Sequence, residues 1–136
     1  MEVYLAHSGK GEYPPQTYIE HIKGVCSRAA QYAKEVKTYA SQDAGQLETI
    51  VRRSALFHDL GKLAGKNQAI LRDPAETHRH LPVNHVDAGS AALKKTGNLY
   101  AALAVYSHHR GLPDMAAERT RTEEAFLRDE HPGTRK

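Results

Sequence analysis

From Ile19 onward, apolar side chains return every three or four residues: Ile22, Cys26, Ala29, Ala33, Val36 and Ala40. That period is one long amphipathic helix. Thr17, with Glu20 three residues later, forms a capping-box start for it, and Pro14-Pro15 closes an extended piece before it. Asp43 and Gln46 repeat the start signal. Leu47, Ile50, Val51, Ser54 and Phe57 then carry a second helix into His58-Asp59, with Gly61 and Gly65 as its stop. A short apolar piece spans Asn67 to Leu71. Residues 72–83 hold two prolines and no period, which predicts a loop. Asn84 caps a further helix with Asp87 in its first turn, continuing through Ala88, Ala91, Ala92 and Leu93. Leu99, Leu103 and Tyr106 mark another, which stops at Gly111-Leu112-Pro113. Past Glu118 the chain is charged, with a small apolar cluster at Ala125, Phe126 and Leu127 that predicts one weak helix and a loose end. No two-residue alternation appears, so the expected fold is an all-α bundle.

Composition narrows this little. At 136 residues the chain is expected to be one domain, 1–136, with room for a single core and a charged segment over about 118–136. Cys26 is the only cysteine, so no internal disulfide can form and a cytoplasmic, reducing setting fits. No apolar run is long enough to span a bilayer, and the first residues lack a signal-peptide core, so no membrane partner is expected. The net charge of +3 permits a nucleic-acid partner without demanding one.

The histidines change the picture. Nine occur in 136 residues, and five of them fall in an ordered series with an aspartate: His21, His58-Asp59, His85 and His108-His109. Imidazole and carboxylate are the side chains that hold first-row transition metals. Six such groups exceed what one ion with open positions needs, so the series predicts a binuclear site between helices. Neighbours on a helix point about 100° apart. His58 and Asp59 therefore serve one centre from two sides, or two ions if the carboxylate bridges. Both doublets are expected in the last turn of their helices, where the helix dipole favours cations. Two ions held roughly 3.5–4 Å apart activate a water and stabilise a phosphoryl transition state. Lys62, one turn past His58, is placed to reach a phosphate oxygen or to orient the nucleophile. His7, His78, His80 and His131 fall in expected loops or ends and are read as ordinary, and Asp87 as a helix-start residue. Arg52-Arg53 and Lys94-Lys95 are read as solvated faces. Tyr106, one turn before His109, is a candidate to line the cleft.

The order H…HD…H…HH with an HDxGK core resembles the HD phosphohydrolase superfamily. More closely it resembles the HD nuclease domain of the CRISPR-associated type I effector nuclease-helicase. The matching stretches are Ala6-His7-Ser8, Glu20-His21-Ile22, Phe57-His58-Asp59-Leu60-Gly61-Lys62 with Asn67-Gln68, Asn84-His85-Val86-Asp87-Ala88-Gly89, and Ser107-His108-His109-Arg110-Gly111-Leu112-Pro113-Asp114. The resemblance implies a helical, metal-dependent endo- and exonuclease that degrades the displaced single strand of DNA. Such a nuclease works with a helicase domain or subunit and the Cascade surveillance complex. It implies His21, His58, Asp59, His85, His108 and His109 as ligands to two divalent ions (manganese, iron, nickel or cobalt, with magnesium or zinc also suitable). Asp59 and Lys62 would be the catalytic pair, with Lys62 near the scissile phosphate. The family's further metal-binding aspartate, after the HH motif, has no clear counterpart. Only Asp114 and Asp129 follow His109. No cofactor beyond metal is implied, and Gly61–Lys66 lacks the spacing of a phosphate loop.

Two other functions compete. A phosphodiesterase acting on a cyclic nucleotide, like HD-GYP proteins, shares the ligand order, but Arg110-Gly111-Leu112-Pro113 stands where that group has D-G-x-G-Y-P. A non-catalytic HD scaffold has no physical need for an intact ligand set.

Overall fold

Thr17 starts α1, Tyr18–Lys37, with its hydroxyl accepting from the Glu20 amide while the Glu20 carboxylate accepts from the Thr17 amide. The computed structural model describes residues 2–39, 44–76, 80–109 and 111–120. α2 spans Ala44–Phe57, and its expected Asp43 start lies outside the described residues. A 3-10 turn, Leu60–Leu63, follows the His58-Asp59 corner. Next come α3, Gly65–Arg72, and a second 3-10 turn, Pro74–Glu76. α4, His85–Lys95, is capped by the Asn84 side chain accepting from the Val86 amide, with Asp87 in its first turn. α5 is Leu99–Ser107 and α6 is Met115–Thr120. Among the described residues no helix is long and apolar enough to cross a membrane.

Among the described residues the fold is all-α apart from a small hairpin, and the hairpin departs from the sequence expectation. β1, Leu5–His7, pairs antiparallel with β2, Gln16–Thr17, with Leu5 opposite Thr17 and His7 opposite Gln16 across an irregular register. Strands this short carry no visible alternation. Gly65 also differs from expectation, because it opens α3 rather than closing α2. The Asn67–Leu71 piece is the middle of that helix. α6 lies before the expected weak helix around Phe126, which is outside the described residues.

α1 packs on α2, while α4 and α5 pack on each other and on α2. Their shared core is Val86, Leu93, Ala101, Ala102, Val105 and Tyr106, with Ile50, Phe57 and Leu103 against it. Tyr106 belongs to this core and does not line a cleft: it is 4% exposed, and its hydroxyl points at the buried Glu118 carboxylate, 3.3 Å from both oxygens. A Cβ on Gly89 would lie 1.9 Å from the Phe57 carbonyl oxygen, and one on Gly61 would lie 2.5 Å from His85 Cα. Only bare backbone lets α4 approach the end of α2 and the 3-10 turn this closely. That approach brings His85 to the His58-Asp59 corner.

Candidate metal centre

Two side-chain amides secure the corner. Asn67 is fully buried; it donates to the carbonyls of Gly61 (2.9 Å) and Val83 (2.8 Å) and accepts from the Val83 amide (2.9 Å). It thereby ties the 3-10 turn to the segment that leads into α4. Gln68 donates to the carbonyls of Lys62 and Leu5, each at 2.8 Å, and accepts from the Leu5 amide at 2.9 Å. That second set docks the hairpin onto the same turn. Each doublet lies immediately past its helix, His58-Asp59 after Phe57 and His108-His109 after Ser107.

Asp59, 3% exposed, is the hub. Its Oδ2 lies 2.8 Å from Lys62 Nζ, 2.9 Å from His21 Nε2 and 3.3 Å from His58 Nε2. Its Oδ1 is buried without a hydrogen-bond partner, and faces His85 Nε2 at 3.7 Å and His108 Nε2 at 3.9 Å. Two groups of potential ligands therefore share this one carboxylate. His21, His58 and Asp59 form one; Asp59, His85, His108 and His109 form the other, with ligand atoms within 4.8 Å of one another in each. All six residues that the sequence series singled out come together here.

Hydrogen bonding on the far side of each ring decides what faces the centre. His58 Nδ1 meets the Ala55 carbonyl at 2.8 Å, His108 Nδ1 meets the Val105 carbonyl, and His21 Nδ1 meets Gln16 Oε1 at 3.2 Å. Carbonyl oxygens only accept, so each Nδ1 carries a proton, and a ring that is neutral turns its Nε2 lone pair inward. His21 Nε2 and His58 Nε2 then stand 3.1 Å apart beside a carboxylate oxygen, and His85 Nε2 and His109 Nε2 stand 3.0 Å apart. Converging lone pairs at that distance repel unless a proton or a metal cation lies between them. An orphaned carboxylate oxygen makes the same demand. The donor set fits divalent metal on both sides of Asp59.

Burial lowers the pKa of His21, His108 and His7, and takes His85 down to about 4. Burial also opposes charging of His58, but its hydrogen bond to Asp59 and that carboxylate's charge outweigh it and raise the pKa. Burial alone would raise the Asp59 carboxyl. Hydrogen bonds from His58 and Lys62, with the Lys62 charge, instead hold it far below the ordinary carboxylate range. At neutral pH Asp59 is therefore ionised and His21, His85 and His108 are neutral, which is the protonation state a metal requires of its ligands.

A family model for the HD domain matches residues 18–130. The chain belongs to the HD-domain family. HD domains are typically metal-dependent hydrolases that bind divalent ions, and this HD domain has a His/Asp cluster of the kind that could hold them. No curated protein and no solved structure matches the chain.

Some residues around the centre were missed from sequence. His7, read as ordinary, lies edge-on against His21 with ring centroids 4.8 Å apart. Gln16, Asn67 and Gln68 had no assigned role. Adjacent amides at Asn67-Gln68, in an otherwise apolar stretch, were the available signal. Asp114 accepts from the Ala116 amide at 2.8 Å at the start of α6. Asp129 and Arg110 lie outside the described residues.

Proposed function

We propose that this HD domain hydrolyses phosphodiester bonds in single-stranded DNA, as the nuclease component of a type I CRISPR interference system. On this reading it acts with a helicase and the Cascade complex on the displaced strand. The observation that carries hydrolysis is the sharing of Asp59 between two groups of imidazoles. Support for DNA as substrate comes from the AHS, HDLGK and HHRGLP motifs taken together. Exposed His7 and His109 leave the centre accessible from the surface, which suits an extended strand.

Bound divalent ions would activate a water and offset charge on the phosphoryl oxygens. Within the protein, Asp59 joins the two halves of the centre, and His21, His58, His85, His108 and His109 surround it. Lys62 keeps the carboxylate ionised and oriented. The main-chain acceptors behind His58 and His108 hold those rings in place.

The test is incubation with manganese and, in parallel, circular single-stranded DNA, blunt duplex and a cyclic dinucleotide. Cleavage of the circular strand that weakens as salt rises is expected, because backbone contacts are electrostatic. Equal cleavage of blunt duplex without a helicase would reject the single-strand reading. Turnover of the cyclic dinucleotide alone would favour a small-phosphoester hydrolase.

A further inference from the structure

The N-terminal hairpin reaches the centre at His21. His7 and Gln16 are register partners across β1 and β2, and both meet His21. His7 lies edge-on against the His21 ring, while Gln16 Oε1 accepts from Nδ1. The other two held Nδ1 atoms bond to main-chain carbonyls three residues earlier in their own helices, as any sequence there would allow. Of these three rings, His21 is the one held by a side chain from another element. The hairpin is fixed relative to Asp59, because Gln68 bonds both main-chain groups of Leu5 and the Lys62 carbonyl. The Thr17 capping box, one residue past Gln16, fixes the start of α1 against it.

We infer that Gln16 is a positioning residue that sets the tautomer and ring orientation of His21, and with it the affinity of the His21–His58–Asp59 half for its ion. This rests on the metal-centre reading, yet part of its test does not. In metal-free, 15N-labelled protein at mildly alkaline pH, imidazole nitrogen–proton correlation spectra report which ring nitrogen bears the proton. Asp59 Oδ2, 2.9 Å from Nε2, competes with Gln16 Oε1 for the His21 proton, so an Nδ1-bound population is expected in the parent protein and in Gln16→Glu, which keeps an acceptor. In Gln16→Leu it shifts toward Nε2.

In manganese titrations Gln16→Leu weakens one of two sites by 10- to 100-fold, the usual scale for loss of an outer-shell partner. The other site is unchanged, and Gln16→Glu restores the parent behaviour. Gln16 is exposed, so Gln16→Leu should keep the parent fold. An unchanged His21 tautomer in Gln16→Leu overturns the inference, as does equal weakening of both sites. If the parent protein binds no divalent ion, the metal reading fails while the tautomer result still decides the role of Gln16.

Discussion

Lys62 Nζ lies 2.8 Å from Asp59 Oδ2, and both side chains are nearly closed to solvent, at 9% and 4% exposure. The ammonium is thus paired with the carboxylate. Removing one partner of a buried ion pair strands the other's charge. Lys62→Met should therefore destabilise the metal-free protein by about 3 kcal/mol in denaturant titration. Saturating manganese should recover much of that loss by supplying the missing positive charge. A lysine engaged only with substrate would leave metal-free stability unchanged.

Asp59→Ala removes a ligand from both halves at once. Activity should fall by well over tenfold while the far-UV spectrum stays helical, since a bridging role is worth several kcal/mol in the transition state. Retention of more than about a tenth of the parent rate would count against bridging.

The two halves differ in ligand number. One has Asp59, His85, His108 and His109, and the other has His21, His58 and Asp59. Asp114, one of two aspartates after His109, is engaged at the start of α6. After exhaustive dialysis, elemental analysis should find nearer one ion than two per chain, with activity rising when excess metal is added. Two retained equivalents would mean that a fourth ligand has joined the smaller half.

Metal-free stability should fall on mild acidification. His85 titrates near 4 in the folded chain, against about 6.5 when unfolded, so the unfolded state binds more protons between those values. A depressed pKa contributes stability that is complete above the unfolded value and is lost as pH drops through the folded one. His21, His108 and His7 share this direction, while His58 opposes it. The melting temperature of metal-free protein should thus decline from pH 6.5 toward 4. A flat profile there would contradict these shifts.

Gly89→Ala places a methyl group 1.9 Å from the Phe57 carbonyl oxygen, which cannot rotate away. α4 must shift, at a cost of about 3 kcal/mol in stability. Metal affinity should fall with it, because His85 begins the same helix. A neutral outcome in both measurements would show that the crossing is looser than described.

The long helices were legible because their signals are local. Thr17 with Glu20, Asn84 at a cap, and the three-and-four apolar period all act within a turn or two. The ligand series was legible for a similar reason, since each histidine sits in its own short motif. The hairpin was not, because two- and three-residue strands exist through Gln68 and the start of α1 rather than through any period of their own. Tyr106 was misplaced because its position one turn before His109 says nothing about which way α5 turns its apolar face. That face packs on α4 and ends at Glu118. Gly65 reads equally well as the end of one helix or the opening of the next, and only the intervening 3-10 turn decides between them.

The bonds of Asn67 and Gln68 all end on main-chain atoms, of Leu5, Gly61, Lys62 and Val83. A partner addressed through its backbone can exchange its side chain without losing the bond. Drift at Leu5 and Val83 should therefore be well tolerated by the centre, whereas the two amides have no equivalent freedom. Shortening Gln68 to Asn, or replacing Asn67 with Leu of similar bulk, removes several tethers at a stroke. Mutational tolerance in this region is thus asymmetric, open at Leu5 and Val83 and denied to the two amides.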